Sequence, residues 1–245
     1  EKVQAVVTDD DDAGFDAGVE ADAGVLPPWD AGVIDAGPPL RGPPYPVVFL
    51  HGMAGWGNSG PLDYFNGVGD ALTAAGETEI FFTEVSPYAS SVERAAQLGP
   101  QLEAIFASTH AAKLNLVAHS QGGLDARLLA SPNGLNYGDR IASITTVSTP
   151  HFGTGVADLV LPVLGEDHPT AVDPVVEAVV ALLGFSVYSL DNQDRTDLRA
   201  QLGDLSRDGS AAFNALYVDA PGVIYESYAG RTNLRTGRDA CKNSV

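Results

Sequence analysis

The chain has 245 residues, 44% of them hydrophobic, which is enough for one sizeable α/β domain with an extension. Its formal net charge of −19 argues against a nucleic-acid partner, because phosphate binding requires clustered lysine and arginine. No stretch approaches the ~20 continuous apolar residues that a membrane-spanning helix needs, so no transmembrane segment is expected.

The acidity is concentrated in an N-terminal segment, residues 1–43, which we expect to be a disordered linker. Residues 1–40 hold ten acidic residues and one basic residue, so they contribute −9 of the net charge, and the remaining −10 is an ordinary acidic surface. The triplet Asp-Ala-Gly recurs five times between residues 12 and 37, with prolines around it. Few large apolar groups and mutual charge repulsion favour an extended, solvated tether. Calcium coordination by the repeat is the alternative, but its aspartate spacing follows no known calcium loop.

The first residue is Glu1 and no signal peptide is visible, so we expect either a processed N-terminus or a sequence that begins inside a longer chain. The single cysteine, Cys241, is either a lone thiol or, in an exported protein, half of a disulfide whose other cysteine could lie beyond Val245.

From about residue 44 to residue 245 the sequence alternates between strand-type and helix-type segments. Short apolar runs predict strands at 46–50, 79–85, 114–118, 141–147 and 222–228. Apolar residues at helical spacing predict helices within 61–75, from Ser90 or Ser91 to about Ser108, at 124–130 and at 191–206. The apolar positions of the second helix are Val92, Ala95, Leu98, Leu102 and Ile105 with Phe106. This alternation predicts an α/β fold, a mostly parallel sheet with helices on both faces.

Residues 154–206 interrupt the alternation, because they contain helical runs without a clear strand between them. Within them, residues 172–183 are nearly all apolar but too few to span a membrane. Two interpretations stay open, because periodicity does not separate them: a buried core helix, or a helical lid whose apolar face covers the site and opens on a lipid surface.

The most informative stretch is a strand, a turn and a helix centred on Ser120. The strand 114–118 leads into Ala118-His119-Ser120-Gln121-Gly122, and small residues continue into the helix. A serine at such a turn, with small residues two positions before and after it, is typical of a nucleophile elbow. Ala118 replaces the first glycine of the usual G-x-S-x-G pattern, so the bare motif is less specific.

A serine nucleophile also needs donors for the oxyanion that forms on the substrate. In this architecture one donor is the backbone N–H of the residue after the nucleophile, here Gln121, and the second comes from a loop after an early strand. His51-Gly52-Met53 follows the strand 46–50, so we assign the second donor to the N–H of Met53. This chemistry requires no cofactor.

The general base is not evident from the sequence. Triad order in this architecture is serine, then aspartate or glutamate, then histidine. Only His151 and His168 follow Ser120, and we expect His151, on a strand-end loop, to be structural. No histidine follows the strand at 222–228. Three alternatives stay open: a catalytic histidine beyond Val245, which we favour, an unusual base, or a protein that is not a hydrolase.

Four segments resemble, in order and spacing, the secreted triacylglycerol lipases of Pseudomonas and Burkholderia (bacterial lipase family I). They are 46–53 (PVVFLHGM), 117–123 (VAHSQGG), 148–154 (STPHFGT) and 225–230 (YESYAG), and the resemblance covers roughly residues 44–235. It implies an α/β-hydrolase fold, a helical lid within about 154–206, and hydrolysis of long-chain acylglycerols at a lipid interface. It assigns the nucleophile to Ser120 and the oxyanion donors to Met53 and Gln121.

In that family the catalytic acid and histidine, a structural calcium site and a disulfide cysteine all follow the strand matched by 222–228. The resemblance therefore implies that these elements lie beyond Val245 in a domain truncated at its C-terminus. The acidic tether is not part of the family pattern. It looks like the surface-exposed linkers of myxobacterial exported proteins, which implies a bacterial protein that is secreted or tethered to the cell surface.

We therefore expect a serine hydrolase of carboxylic esters, in particular a triacylglycerol lipase that acts on lipid or ester substrates at a lipid interface. Two alternatives stay open. One is a catalytically inactive α/β-hydrolase that serves as a binding module, and the other is a thioesterase or acyltransferase acting on lipid-linked acyl groups.

Overall fold

A computed structural model of the protein describes residues 44–55, 64–162 and 197–230. All of them belong to one unit, Pro38–Val245. The predicted linker 1–43, the apolar run 172–183, His168 and Cys241 lie outside the described residues.

In these described segments, five strands form a single sheet in the order β2-β1-β3-β4-β5. Their bounds are β1 Val47–Leu50, β2 Ile80–Phe82, β3 Leu114–His119, β4 Ile141–Val147 and β5 Ile224–Tyr228. Every neighbouring pair is parallel, which agrees with the predicted α/β fold. Because parallel strands end at the same edge of a sheet, the loops that follow β1, β3 and β4 meet there.

Six helices accompany the strands in the part of the chain that the structure describes. They are α1 Val68–Ala74, α2 Ser91–Thr109, α3 Gly122–Ala130, α4 Gly155–Val160, α5 Leu198–Leu205 and α6 Arg207–Leu216, and a 3₁₀ turn, Gly138–Arg140, precedes β4. Ser90 begins α2 as predicted, because its side chain accepts the N–H of Glu93. Helix α3 starts at Gly122, two residues earlier than predicted, and therefore follows Ser120 almost directly.

The core joins the sheet to helices α2 and α3 and extends to residues of α4, α5 and α6. All four residues of β1 are buried, as expected for a central strand covered on both faces. The fully buried large apolar side chains are those of Leu50, Leu98, Leu102, Leu114, Leu116, Leu124, Leu129, Ile141 and Ile144. Val92 lies in α2 as predicted but is 54% exposed, because the buried face of the helix begins at Ser91 and continues through Ala95.

The strand predicted at 79–85 is shorter in the structure and ends at Phe82. The N–H of Thr83 still donates to the Phe49 carbonyl of β1 at 3.0 Å, but the N–H groups after it are bonded by side chains. Glu84 donates to the Gln101 side chain at 3.0 Å and Ser86 to the Gln97 side chain at 2.7 Å. Side chains of α2 therefore divert this segment away from the sheet.

The helix predicted at 191–206 begins only at Leu198 among the described residues, because the Asp197 side chain caps it by accepting the N–H of Ala200 at 2.8 Å. Helix α6 was not predicted. It starts immediately after α5, because Ser206 ends one helix and caps the next by accepting the N–H of Gly209 at 3.0 Å.

Candidate active site

Ser120 occupies the turn between β3 and α3 in a left-handed backbone conformation, with φ 53°. Non-glycine residues rarely adopt this region, and such strain concentrates at functional sites. The turn is held on both sides: the N–H of Ser120 donates to the carbonyl of Val147 on β4 at 2.9 Å, and the N–H of Gly123 donates to the Ser120 carbonyl at 3.1 Å. This is the geometry that a nucleophile elbow requires.

Glycines allow the loop after β1 to touch this turn. A methyl group on Gly52 would lie 2.7 Å from Cβ of Ser120, and one on Gly122 would lie 2.7 Å from the carbonyl oxygens of Leu50 and His51. Neither position has room for a side chain. Ala118 is fully buried in β3, so its methyl group fits where the usual pattern has glycine.

The structure thus brings the two predicted oxyanion segments against each other. Met53 follows Gly52, which packs on Ser120, and Gln121 follows Ser120 itself. Within residues 44–55, 64–162 and 197–230, neither the N–H of Met53 nor that of Gln121 has a protein acceptor. Two unsatisfied donors beside a strained serine are available to a substrate oxygen.

His51 has a structural role in this loop. Its Nε2 accepts the N–H of Val85 at 3.1 Å, so Nδ1 carries the proton and donates to the Gly52 carbonyl at 2.9 Å. Burial, together with the charge of Arg94, lowers the pKa of His51 to about 3. The neutral ring therefore fixes the loop and has no nitrogen left for catalysis.

Tyr64 also connects the loop to the turn. Its hydroxyl accepts the N–H of Gly52 at 3.1 Å and lies 2.6 Å from Nδ1 of His119, the residue before the serine. Burial lowers the pKa of His119, which keeps the ring neutral.

A fully buried ion pair lies beneath the site. Nε of Arg94 on α2 contacts a carboxylate oxygen of Asp125 on α3 at 2.8 Å. The remaining guanidinium nitrogens donate to the carbonyls of Ser86 at 2.7 Å and His51 at 2.6 Å. Burial raises the pKa of Asp125 to about 6 even though Arg94 opposes the shift. One arginine therefore joins α2, the elbow helix and the loop after β1.

His151 is engaged through both ring nitrogens, which agrees with its expected structural role. The Thr146 hydroxyl donates to the Glu226 carbonyl at 3.2 Å, so its oxygen accepts from Nε2 of His151 at 3.0 Å. Nδ1 then faces Arg127 at 3.5 Å. Burial, together with the Arg127 charge, lowers the pKa of His151 to about 4.

Sequence reasoning missed Arg94, Asp125 and Tyr64, and it also missed Gln201 on α5. Two of them carried a signal in the sequence. Arg94 lies on the apolar face of α2, and Asp125 interrupts an apolar helix directly after the elbow. A charged residue in such a place is buried only when it is paired, so the two could have been matched.

Neither a metal site nor a membrane span is evident in the described segments. They contain no cluster of three or more histidine, cysteine, aspartate or glutamate residues that could hold a metal ion. No helix among them is long and apolar enough to cross a bilayer. The calcium site that the resemblance implies therefore has no ligand set in these residues.

The parallel sheet, the strained serine between a strand and a helix, and the glycine loop against it define an α/β-hydrolase domain. The fold is similar to that of a mature Bacillus licheniformis lipase, with a TM-score of 0.55 and 20% identity over 78% of this chain and 69% of that chain. It is also similar to phospholipase PlaB from Legionella pneumophila, with a TM-score of 0.55 and 13% identity over 81% of this chain and 41% of that one. At these identities the likeness concerns the fold alone.

No protein-family profile matches the chain. It is nevertheless a homologue of bacterial triacylglycerol lipases, which confirms the resemblance seen in its motifs. It is 35% identical to the triacylglycerol lipase of Vibrio cholerae over 205 residues, 78% of this chain and 64% of the relative. It is 33% identical to those of Pseudarthrobacter phenanthrenivorans and Burkholderia plantarii over 196 residues, 77% of this chain. The chain spans 60% and 53% of the length of these two relatives.

Proposed function

We propose that the protein hydrolyses carboxylic esters with Ser120 as its nucleophile. The observation that carries the proposal is the left-handed conformation of Ser120 at the β3–α3 turn, with Gly52 packed directly against it. A structural turn would not need a strained serine, whereas an elbow needs one to expose the hydroxyl. Homology to triacylglycerol lipases supports the same reaction.

In the proposed mechanism, Oγ of Ser120 attacks the ester carbonyl and the carbonyl oxygen becomes an oxyanion. The N–H groups of Met53 and Gln121 then donate to that oxygen. The first turn of α3 lies directly behind Ser120, and its positive dipole end also favours the developing charge. Collapse of the tetrahedral intermediate breaks the bond to the alcohol, which leaves with the proton that the general base took from the Ser120 hydroxyl during attack. The acyl-enzyme that remains is hydrolysed by water.

The base and its acidic partner are proposed to come from outside the described residues. His51 and His151 do not suit this role, because each has both ring nitrogens engaged and burial lowers the pKa of each, so neither ring readily takes up the serine proton. We therefore assign the base to a histidine in a segment that the structure does not describe.

The proposed substrates are long-chain acylglycerols at a lipid interface, because the curated relatives are triacylglycerol lipases. A lid within residues 154–206, including the apolar run 172–183, would make contact with that interface. Catalysis needs no cofactor in this scheme, and a calcium ion, if present, is structural and held outside the described residues. The acidic segment 1–43 would tether the domain outside the cell.

The test uses the full-length protein, with activity measured on p-nitrophenyl butyrate and on emulsified trioctanoylglycerol. We expect hydrolysis of both, labelling of Ser120 by a fluorophosphonate probe, and loss of activity and labelling in Ser120→Ala. Activity that persists in Ser120→Ala would overturn the assignment. Absence of labelling in the unaltered full-length protein would favour a binding module.

Substrate dependence separates a lipase from a thioesterase or acyltransferase. A lipase with a lid shows a jump in rate when the substrate concentration passes its solubility limit. Smooth saturation, together with faster turnover of acyl thioesters, would favour the alternative. Chelation by EDTA tests for a structural calcium ion, and protease treatment of intact cells tests whether the domain is exposed at the cell surface.

A further inference from the structure

The carboxamide of Gln201 on α5 reaches the residue that follows Ser120. Its Nε2 donates to Oε1 of Gln121 at 2.5 Å and to the carbonyl of Pro87 at 2.9 Å. Both glutamine side chains are fully buried. One NH₂ group therefore uses its two hydrogens on two different segments of the chain.

The Pro87 carbonyl also links Gln201 to the loop that carries Met53. It also accepts the N–H of Ala54 at 2.9 Å. Ala54 directly follows Met53 and has a left-handed backbone, with φ 55°. Through Pro87, Gln201 is thus linked to the loop that carries the Met53 N–H, and through Gln121 it is linked to the elbow.

The Gln121 side chain is fixed from the opposite direction as well. Its Nε2 donates to the carbonyl of Ala89 at 2.9 Å and, at 3.4 Å, to the Ser91 hydroxyl. With Oε1 taken by Gln201, both ends of the carboxamide are bonded. The backbone of Gln121 therefore has little freedom to rotate its N–H.

Helix α5, which carries Gln201, is itself hydrogen-bonded to the segment 87–91. The N–H of Asp197, which caps the helix, donates to the Tyr88 carbonyl at 2.9 Å. One turn past Gln201, the Asp204 carboxylate accepts the N–H of Ser91 at 2.6 Å. The helix is therefore attached to the segment 87–91 on both sides of Gln201.

Packing alone does not account for a glutamine at this position. Oε1 of Gln201 is buried and has no hydrogen-bond partner among the residues described. A buried acceptor without a partner is destabilising, and an apolar side chain of the same size would avoid that cost. The two bonds that Nε2 donates are the feature that only an amide supplies here.

We propose that Gln201 is a positioning residue that sets the distance between the two oxyanion donors, the N–H groups of Met53 and Gln121. This rests on the proposed function, because those donors matter only if Ser120 attacks an ester. Gln201 touches neither substrate nor nucleophile in this scheme. It acts through Pro87 on one side and Gln121 on the other.

The test replaces Gln201 by Met in the full-length protein, which keeps the side-chain length and removes the donor. We expect kcat to fall by ~10–100-fold with KM nearly unchanged, less than the ~10²–10³-fold that follows loss of an oxyanion donor. The matched control is Gln101→Met. Gln101 bonds the backbone of Glu84 in the same β2–α2 connection but touches neither oxyanion segment, so kcat should not change.

Two further variants distinguish positioning from general loosening of the fold. Gln121→Met keeps its backbone N–H, and the double variant with Gln201→Met should lose less than the product of the two single losses. Gln201→Glu keeps the shape of the side chain. Its protonated carboxylic acid donates one hydrogen bond, and its carboxylate donates none. Its activity relative to the unaltered protein should therefore recover as the pH falls. Multiplicative losses, or a pH-independent loss, would indicate a merely structural role and overturn the proposal.

Labelling by the fluorophosphonate probe separates this proposal from the function on which it rests. No labelling of the unaltered protein would overturn both. Normal labelling of the unaltered protein, with an equal labelling rate in Gln201→Met, would overturn only the positioning role.

Discussion

Gly52 and Ser120 approach each other so closely that a methyl group on Gly52 would lie 2.7 Å from Cβ of Ser120. The backbone of the donor loop and the serine turn are therefore in direct contact. The proposed reaction depends on this contact, because an oxyanion donor must lie within hydrogen-bonding distance of the oxygen that forms beside Ser120.

We predict that Gly52→Ala lowers kcat for ester hydrolysis by ~10²-fold, because a displacement of the loop of about 1 Å is enough for a loss of this size. Steady-state kinetics on a soluble ester measure the effect. Gly203→Ala is the control, since a methyl group there meets nothing within 4 Å. Equal rates for Gly52→Ala and the unaltered protein would show that the loop does not supply a donor.

Backbone strain at Ser120 predicts that the conformation needed for activity lowers the stability of the protein. Ser120→Gly and Ser120→Ala both remove the hydroxyl and should both abolish hydrolysis, but only glycine relieves the φ of 53°. We expect the glycine variant to have a free energy of unfolding ~1 kcal/mol higher than the alanine variant. Urea denaturation of the two variants measures the difference. A less stable glycine variant would show that the turn is not strained.

Arg94 should be one of the most sensitive positions in the core. Arg94→Met leaves the Asp125 carboxylate buried without its partner and removes the donors to the Ser86 and His51 carbonyls. We expect a loss of ~3–5 kcal/mol in the free energy of unfolding at neutral pH. The double variant Arg94→Met/Asp125→Leu should recover part of this loss in the same denaturation experiment. No recovery would mean that the arginine acts mainly through the carbonyls.

The pKa of Asp125 predicts a specific dependence of stability on pH. Burial raises this pKa from its ordinary 3.8 to about 6. Between these values the folded protein holds a proton that the unfolded chain releases. The contribution of this carboxyl to stability is therefore complete below pH 3.8 and is lost as the pH rises through about 6.

Asp125→Asn removes that titration, so the melting temperature of the variant minus that of the unaltered protein should increase from pH 4 to pH 7. The separation of the two pKa values corresponds to ~3 kcal/mol at most. Thermal melts in a series of buffers of equal ionic strength test this. A difference that decreases over the same range would show that Arg94 outweighs burial and that the ion pair is net stabilising.

Local patterns in the sequence were sufficient for the fold class and for the homology. Four strands and the helix from Ser91 to Thr109 lie close to where apolar periodicity and a serine cap predicted them. The turn at Ser120 and the loop at 51–53 were recognisable because each motif is a short run of consecutive residues. Patterns formed by consecutive residues can be recognised from the sequence alone.

The failure at α6 was local, since its cap Ser206 lies only three residues before Gly209, whose N–H it accepts. The other failures occurred where a distant side chain decides the local structure. The second strand ends early because Gln97 and Gln101 bond its continuation from 11 and 17 positions away. For the same reason the sequence did not reveal that Arg94 and Gln201 converge on the two oxyanion segments.

The sequence by itself determined the fold class, the position of Ser120 and the two segments expected to hold the oxyanion, since each depends on spacing along the chain. Only the tertiary structure decided how those segments are held together. The contact of Gly52 with Ser120, the buried Arg94–Asp125 pair and the bond between Gln201 and Gln121 join residues that lie 68, 31 and 80 positions apart. Such contacts depend on how strands and helices pack, and that packing is a property of the whole fold.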